Sequence, residues 1–314
     1  MNKVRLSLTA SISLVVFLVL TSIAQAQVPR TFVSEVGGSD TNPCDSPLRP
    51  CRNIQSAITK VQAGGEVVVI ASGSYRPFSI NKSVTVVGAP GVHAGITVLA
   101  GQGVVINAGT SDVVVLRGLA FNGLGALNGI GYQTGASLQV ENCVIQGFAG
   151  NGIRFDNADN GQQLFVRDTV VRNIGISGIF VGLTSSGTAR ATIERCRLEN
   201  NKEGLFVTDN AKVTIRDTVV WGSKAEGILA YTFNPGATAE INVENCLVTD
   251  GATSGIQADG VAGASLIRVS NTTVTNNHGG VNAISPSGTI LSRGNNTVEG
   301  NSSDGAFTGT FASK

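Results

Sequence analysis

The sequence predicts an all-β solenoid, in which short strands stack coil upon coil. A three-residue phrase recurs between aliphatic residues at intervals of 26, 27, 22 and 28 residues, as Glu141-Asn142-Cys143, Arg167-Asp168-Thr169, Glu194-Arg195-Cys196, Arg216-Asp217-Thr218 and Glu244-Asn245-Cys246. A repeat of this length indicates units that bury their apolar faces only against their neighbours. The composition agrees, since 40 glycines and only 14% charged residues favour strands and tight turns over helices.

Each repeat reads as three strands joined by three turns. Apolar and polar residues alternate before each phrase, as in Leu138 to Glu141, which is typical of a strand with one buried side. A second strand follows the phrase, and a third begins at a glycine-aliphatic pair, namely Gly129-Ile130, Gly152-Ile153, Gly178-Ile179, Gly204-Leu205, Gly227-Ile228, Gly255-Ile256 and Gly280-Val281. Each repeat therefore makes one coil of a parallel β-helix, and the chain has room for about nine or ten coils.

The middle residue of each phrase predicts a sharp turn. Seven of the eight equivalent positions carry Gly, Asn or Asp, which tolerate a left-handed backbone, and Arg195 is the exception. The column reads Gly118, Asn142, Asp168, Arg195, Asp217, Asn245, Asn271 and Asn295.

The residue before this turn alternates in charge over six coils, as Arg117, Glu141, Arg167, Glu194, Arg216 and Glu244. Parallel strands lie about 4.8 Å apart, so each charge should fall between two of opposite sign. We interpret this charge ladder as a means of fixing the strand register rather than as catalytic machinery.

The first 26 residues predict a secretory signal peptide. Lys3 and Arg5 precede an apolar run, and Ala24-Gln25-Ala26 precedes the expected cleavage before Gln27. The run is shorter than the roughly 20 residues of a spanning helix, so no membrane span is expected. The mature protein is then expected in the periplasm or outside the cell.

Residues 27–62 are predicted to form an N-terminal cap. A short helix is expected from Asn53 to Val61, ended by Gly64-Gly65, and it would cover the open end of the solenoid. Cys44 and Cys51 lie in one Pro-rich loop and are expected to form a disulfide. Cys143, Cys196 and Cys246 share one place in their repeats and are expected to be buried thiols.

The strand-like segments Gly64 to Val69 and Ser79 to Val86, followed by coils that turn at Asn, resemble the right-handed parallel β-helix, or pectin-lyase-like, superfamily. The resemblance is to its secreted bacterial right-handed β-helix domain proteins and covers about residues 63–314. It implies a right-handed helix. The superfamily's lyases and hydrolases use clustered acids, an Asp-Asp pair and a Gly-His-Gly element, whereas this sequence has no Asp-Asp and only Asn277-His278-Gly279. No catalytic residue is therefore carried over.

One pair of acids lies close enough for chemistry. Glu203 and Glu226 immediately precede the glycines of neighbouring coils, so their backbones should be about 5 Å apart. Two carboxylates that close raise one pKa, which suits a general acid. The alternative is a solvated turn in which the two side chains diverge.

Two further groups are candidates for binding. Trp221 stands beside Glu199 in an outward column and is a possible platform for a sugar ring, with Lys202 and Lys224 nearby. Asp156 and Asp159 lie in an Asn/Asp/Gly segment whose oxygen atoms suit calcium, although an ordinary turn explains the same composition. No other cofactor is expected.

These observations favour a secreted protein without a catalytic constellation, namely a glycan-binding or an envelope or extracellular structural module. The alternative is a divergent polysaccharide lyase or glycoside hydrolase acting on an acidic polysaccharide. The formal charge is +1, which becomes −1 without the predicted signal peptide, so the chain lacks the basic surface that nucleic-acid binding requires. A polysaccharide is the expected partner, and self-association through an uncovered end remains open.

Overall fold

The computed structural model describes residues 27–156, 161–182, 187–284 and 286–312. The predicted signal peptide, residues 1–26, lies outside the described residues. Parallel strands stack into three long sheets, with twelve strands in sheet 1 and ten each in sheets 2 and 3. The chain visits the sheets in the order 1, 2, 3 in every coil, so the predicted all-β solenoid is confirmed and the expected nine or ten coils agree roughly with the strand numbers.

Sheet 1 consists of β1 (Val28–Val33), β2 (Val61–Val69), β5 (Val84–Gly88), β8 (Val113–Arg117), β11 (Ser137–Glu141), β14 (Gln163–Arg167), β17 (Ala189–Glu194), β20 (Ala211–Arg216), β23 (Thr238–Glu244), β26 (Ala264–Ser270), β29 (Gly288–Ser292) and β32 (Gly309–Thr310). Sheet 2 consists of β3 (Gly73–Tyr75), β6 (Ala94–Thr97), β9 (Leu119–Asn122), β12 (Val144–Gln146), β15 (Val170–Arg172), β18 (Arg197–Glu199), β21 (Val219–Trp221), β24 (Leu247–Thr249), β27 (Thr273–Thr275) and β30 (Thr297–Val298). Sheet 3 consists of β4 (Phe78–Ile80), β7 (Gln102–Asn107), β10 (Asn128–Thr134), β13 (Ile153–Phe155), β16 (Ser177–Val181), β19 (Glu203–Thr208), β22 (Ile228–Tyr231), β25 (Ser254–Asp259), β28 (Gly279–Ile284) and β31 (Ser303–Gly305).

The register of sheet 1 places the charge ladder as predicted. Arg167 lies opposite Glu141 on one side and opposite Glu194 on the other. The Glu141 carboxylate accepts from Arg117 at 2.6 Å and from Arg167 at 2.8 Å. The Arg216 guanidinium is 3.0 Å from Glu194. Coil stacking therefore brings equivalent positions into direct contact.

The interior is filled by stacked columns of mostly apolar side chains. Aliphatic residues line each sheet on the inside, and the three cysteines predicted as buried thiols are free and buried. Each thiol donates to backbone carbonyls; that of Cys143, for example, is 3.3 Å from Glu141 O. Burial raises the pKa of Cys143 to about 12 and those of Cys196 and Cys246 to about 11, so the thiols stay protonated.

The first turn of each coil has a left-handed residue at the predicted column, and this includes Arg195, the one member that is not Gly, Asn or Asp. Arg195 has φ of 49°, close to the 51° of Asn142. Its guanidinium binds Asp168 at 2.8 Å and also contacts Glu194. At the C-terminal end the left-handed residue is Gly294 rather than the predicted Asn295, since only Gly294 has a positive φ there.

Replacing Arg195 by asparagine should stabilise the protein by about 0.5–1 kcal/mol. Asparagine tolerates the left-handed backbone better than arginine, while the ion pairs lost are half exposed and individually weak. Chemical unfolding in high salt, which screens those pairs, is the measurement. Asp168→Asn is the control because it removes the ion pair with Arg195 but keeps arginine at the left-handed position. If the Arg195→Asn protein were less stable than the wild type in high salt, the argument from backbone strain would be contradicted.

A second left-handed column, which was not predicted from the sequence, lies five residues after the first. It comprises Gly147, Asn173, Asn200, Gly222, Asp250 and Asn276. The residue types were again Gly, Asn and Asp, so the repeat alignment contained the signal. This second turn joins sheet 2 to sheet 3.

The N-terminal segment differs from prediction in one respect. The helix α1 spans Ile54–Lys60 and buries Ile54, Ala57 and Ile58, as expected. It ends at Lys60 rather than at Gly64-Gly65, because β2 begins at Val61 and runs through both glycines to pair with its neighbours. Cys44 and Cys51 form a disulfide. Within the described ranges no helix is long and apolar enough to span a membrane.

Candidate functional site

The outer side of sheet 3 carries a cluster of aromatic rings, which we call the aromatic face: Phe180, Phe206, Tyr231 and Phe233. Phe180 and Phe206 are partners in adjacent strands, and their ring centroids are 5.4 Å apart. The Phe206 ring lies 6.4 Å from that of Tyr231 and 6.2 Å from that of Phe233. Phe233 is 57% exposed, so the cluster faces solvent rather than the core.

A buried aspartate holds the loop that carries Phe233. The Asp209 carboxylate accepts from the backbone N–H groups of Phe233 at 2.9 Å and Asn234 at 3.3 Å, and from the Asn234 side chain at 2.8 Å. Tyr231 then contacts Phe233 with ring centroids 4.5 Å apart. The loop between β22 and β23 is therefore fixed against the sheet, and the aromatic face is preorganised.

Two polar side chains beside Tyr231 lack hydrogen-bond partners. Tyr231 lies opposite Thr208 on one neighbouring strand and Asp259 on the other. Thr208 Oγ1 and Asp259 Oδ1 have no hydrogen-bond partner, and both atoms are buried, since the two residues are only 3% and 9% exposed. Burial raises the pKa of the Asp259 carboxyl above its ordinary value.

The N-terminal end of the same face is polar and internally neutralised. A shallow pocket of about 150 Å³ is lined by Gln102, Gly131, Tyr132, Gln133, Arg154 and Asp156. The Arg154 guanidinium binds the Asp156 carboxylate at 2.6 Å. Arg154 lies opposite Phe180, so this pocket adjoins the aromatic face.

The predicted acid pair sits at the starting edge of sheet 3, with the two carboxylates engaged in opposite directions. Glu203 accepts from the Ser177 hydroxyl at 2.7 Å, towards the preceding coil, and lies 3.4 Å from Lys202. Glu226 accepts from the Thr253 hydroxyl at 3.3 Å, towards the following coil. The two side chains diverge, as the alternative expected, but Glu203 is only 7% exposed, so this turn is not the solvated one of that alternative. A role as paired acids stays a prediction.

The predicted sugar platform lies on a different sheet from those acids. Trp221 is 41% exposed and stands between Glu199 and Thr249 on the outer side of sheet 2, as expected. Glu199 accepts from Arg197 within its own strand. Lys202 and Lys224 lie in the turns between sheets 2 and 3, and no aromatic contact joins Trp221 to another described ring.

The predicted calcium ligands are not assembled in the described part of the chain. The Asp156 carboxylate is bound to Arg154, which lowers its availability to a cation, and Asp159 lies outside the described residues. No group of three or more His, Cys, Asp or Glu side chains able to hold a metal ion occurs among the described residues.

Sheet 1 also has a shallow depression, of about 330 Å³, over the charge ladder. It is lined by Gln139, Glu141, Phe165, Val166, Arg167, Thr192 and Glu194. Its glutamates already accept from arginines of the ladder, so these charges serve the stacking of coils.

The aromatic face was missed because its residues recur only partly. Phe180 and Phe206 directly follow the aliphatic member of a glycine-aliphatic pair, but the next coil has Leu229 at that position. Extending the repeat alignment by one column would have found two of the rings. The contribution of Phe233 depends on loop geometry that no periodicity encodes.

The three sheets of stacked parallel strands define a parallel β-helix protein. A family model described as "Right handed beta helix region" matches residues 94–242 and 128–303, which together cover more than half of the sequence. The chain therefore belongs to the right-handed β-helix family, and the predicted superfamily is confirmed. No curated protein matches the sequence significantly.

Solved structures agree on the fold. A structure described as that of pectate lyase Pel9A superposes with a TM-score of 0.65 at 15% identity, covering 89% of this chain and 80% of that one. At this identity the likeness concerns the fold alone. An Azotobacter vinelandii mannuronan C-5 epimerase module (TM-score 0.39, 13% identity, 80% and 91% covered) and a Eubacterium ramulus lacto-N-biosidase (TM-score 0.43, 8% identity, 91% and 67% covered) are too distant to inform the site.

Proposed function

We propose that this protein binds a polysaccharide along the outer side of sheet 3. The aromatic face is the observation that carries the proposal, because rings from three strands and one fixed loop adjoin one another on the outer side of the sheet, and Phe233 among them is 57% exposed. Aromatic side chains offer a large apolar contact area and lose little conformational entropy when they bind a ligand, and the Tyr231 hydroxyl adds a polar group. Adjacent strands advance about 4.8 Å per coil, so a linear polymer running along the axis meets one ring after another.

Other surfaces support this role less well. Trp221 on sheet 2 and Phe165 on sheet 1 are exposed single rings, and isolated exposed apolar side chains are normal on any protein. The aromatic face is a cluster, and the loop bearing its most exposed ring is held by the buried Asp209. Preorganised groups lose less entropy on binding.

The catalytic alternative has weaker support. Acid catalysis by two carboxylates requires both to face one substrate bond, and Glu203 and Glu226 engage hydroxyls on opposite sides. The function we propose is therefore that of a glycan-binding module, located outside the cytoplasm if the predicted signal peptide operates.

Phe233→Ala should weaken polysaccharide binding about tenfold, since truncating a central aromatic anchor typically costs at least 1 kcal/mol. A panel of soluble polysaccharides is screened by affinity electrophoresis, and the dissociation constant for the best ligand is measured by calorimetry. Phe206→Ala is a second variant, and its thermal unfolding is followed to separate lost binding from lost folding.

Trp221→Ala and Phe165→Ala are matched controls, because each removes an exposed ring from another sheet. Both should bind like the wild type. A loss confined to Trp221→Ala would move the site to sheet 2, and absence of binding to every polysaccharide tested would remove the proposed function.

A further inference from the structure

The corner between sheets 2 and 3 carries a line of exposed apolar side chains, which we call the apolar ridge. Its members are Leu99, Leu124, Leu127, Ile176 and Trp221, of which Leu99 is 78% exposed and Trp221 is 41% exposed. Single exposed apolar side chains need no explanation, whereas a contiguous group of them marks a contact surface.

Backbone hydrogen bonds stack the corner segments of the ridge directly over one another. The Leu127 N–H donates to the carbonyl of Gly101 in the preceding coil at 2.8 Å, and the Leu127 carbonyl accepts from Gly150 in the next coil at 2.7 Å. The Ile176 N–H donates in turn to the Gly150 carbonyl at 2.9 Å. Five coil steps separate the first and last members, so the ridge is about 24 Å long and its side chains can meet one flat surface together.

Leu124 is exposed although its backbone disfavours leucine. Its φ of 37° is left-handed, and the side chain is 60% exposed. In the coils that follow, the left-handed residues of this corner are Gly, Asn or Asp. A branched side chain at such a position costs free energy, and Leu124 recovers little of it by burial within the protein. This strain points to a contact outside the molecule.

The free charges along the ridge are positive. Arg76, Arg172 and Lys224 are exposed, and none of them forms an ion pair with a described residue. Six consecutive corner segments contain neither Asp nor Glu, namely residues 76–77, 98–101, 123–127, 147–152, 173–176 and 200–202.

The acids that border the ridge are already engaged. Glu199 is bound by Arg197 at 2.5 Å, and its side chain is 13% exposed. Glu203 is buried and lies 3.4 Å from Lys202. Glu226, in the last corner of the ridge, accepts from a threonine hydroxyl of the next coil. The balance of unpaired charge along the ridge is therefore positive.

We propose that the apolar ridge docks the protein on the surface of a bilayer that contains anionic phospholipids. The aliphatic side chains and Trp221 enter the headgroup region, and the three free cations face lipid phosphates. Interfacial binding uses this combination of apolar area, tryptophan and basic side chains. A second copy of the chain fits less well, because a row one corner wide falls short of the roughly 1,200 Å² of a stable interface and would bring like charges together.

Cosedimentation with large vesicles tests the proposal. The chain starting at Gln27 is used, because the apolar run within residues 1–26 would itself favour lipid, and this chain keeps α1 and every described strand. Vesicles of phosphatidylcholine mixed with phosphatidylglycerol should bind about tenfold more tightly than vesicles of phosphatidylcholine alone. High salt should abolish this preference, because it screens the cations.

Trp221 is the only tryptophan of the chain, so its fluorescence reports directly on the ridge. Its emission should shift to shorter wavelength when vesicles are added, and lipids brominated near the headgroup should quench it. Cosedimentation without either change would show that another surface contacts the lipid, and it would overturn the assignment to the ridge.

Variants of the leucines test the apolar contact. Leu99→Asn combined with Leu127→Asn should weaken vesicle binding about tenfold or more, because two side chains no longer leave water on docking. Leu48→Asn is the matched control, since Leu48 is 91% exposed in the N-terminal loop, and it should bind like the wild type. Leu124→Asn should weaken binding but raise the midpoint of thermal unfolding, because asparagine tolerates the left-handed backbone. Opposite changes in binding and stability separate lost docking from lost folding.

Variants of the cations test the lipid charge. Arg76→Gln combined with Lys224→Gln should weaken binding to the anionic vesicles about fivefold or more and leave binding to neutral vesicles unchanged. Arg190→Gln combined with Lys212→Gln removes the same charge from sheet 1, where the two residues are strand partners. This control should change binding less than about twofold.

Three results would overturn docking on lipid: equal binding to charged and neutral vesicles, full binding by the double leucine variant, or no binding to any vesicle. Sedimentation velocity without lipid tests the second copy as occupant. A dimer that Leu99→Asn with Leu127→Asn dissociates would assign the ridge to self-association and would also overturn the proposal. The inference is independent of the proposed function, because the ridge and Phe233 lie at opposite ends of the sheet 3 strands.

Discussion

Replacing Gly204 by alanine is expected to destabilise the protein by about 3 kcal/mol. A Cβ atom there would lie 2.5 Å from the Gly227 carbonyl oxygen of the next coil and 2.5 Å from Val220 Cγ1. The obstructing carbonyl belongs to backbone and cannot rotate away, which places the cost at the upper end of the usual range for overpacking. Thermal unfolding followed by circular dichroism should show a midpoint lowered by about 6–12 °C.

Gly279→Ala is the matched control. It is also a strand glycine of sheet 3, but its nearest neighbour to an added Cβ is the Ser254 hydroxyl at 3.4 Å, an ordinary contact. Its midpoint should stay within about 2 °C of the wild type. If the two substitutions lowered the midpoint equally, the close stacking of coils would not be the reason that Gly204 must be glycine.

Replacing Glu141 by glutamine is expected to destabilise the protein by about 1–2 kcal/mol at neutral pH. Glu141 is buried and is bound by both Arg117 and Arg167, whereas the arginines are half exposed. The isosteric amide keeps the volume and one acceptor oxygen, but it loses the negative charge and places an NH2 group against the other guanidinium, so one of the two hydrogen bonds is lost and the other is weakened. Partial exposure of the arginines limits the cost to well below that of breaking a fully buried pair.

The pH dependence of this effect has a definite sign. Burial alone would raise the pKa of Glu141, but the hydrogen bonds and charges of Arg117 and Arg167 outweigh burial and hold the pKa below its ordinary value. The carboxylate therefore stabilises the fold at neutral pH, and this contribution is lost as the pH falls through the lowered pKa. Urea unfolding of wild type and Glu141→Gln should converge in acid.

Glu244→Gln is the comparison for this prediction. Glu244 occupies the same column but is exposed, so its substitution should change the free energy of unfolding by less than about 0.5 kcal/mol. A difference between wild type and Glu141→Gln that persists unchanged at low pH would contradict the ionic origin of the effect.

The fold was predictable because stacking makes each coil constrain the next. Columns with a regular pattern, such as the left-handed positions and the charge ladder, recur at fixed places in the repeat, and even Arg195 adopts the backbone that its column requires. The end of α1 was predicted to within one residue, but the role given to Gly64-Gly65 was wrong because glycine occurs in strands as well as at helix ends. At Gly65, the strand pairing with Val84 outweighs the local signal.

The site was less predictable because it depends on contacts that do not repeat. Trp221 was favoured as a platform for its residue type and its place in an outward column, yet its neighbours on sheet 2 are not aromatic. The aromatic face combines rings from three strands with Phe233, whose loop depends on the buried Asp209 in another coil. That the oxygens of Thr208 and Asp259 are buried without a partner could not be predicted, because burial depends on the packing of neighbouring coils.

The two left-handed columns also determine where this molecule can change in length. Four residues separate them in every coil from Asn142 to Asn276, and one insertion there would reverse the sides of a three-residue strand. Two residues join β19 to β20, whereas six join β22 to β23. Among the described strands this third corner varies more in length than the other two, and its segment between β22 and β23 carries Phe233. New recognition segments could therefore be acquired beside the aromatic rings without disturbing the stack, an economical route to altered ligand preference.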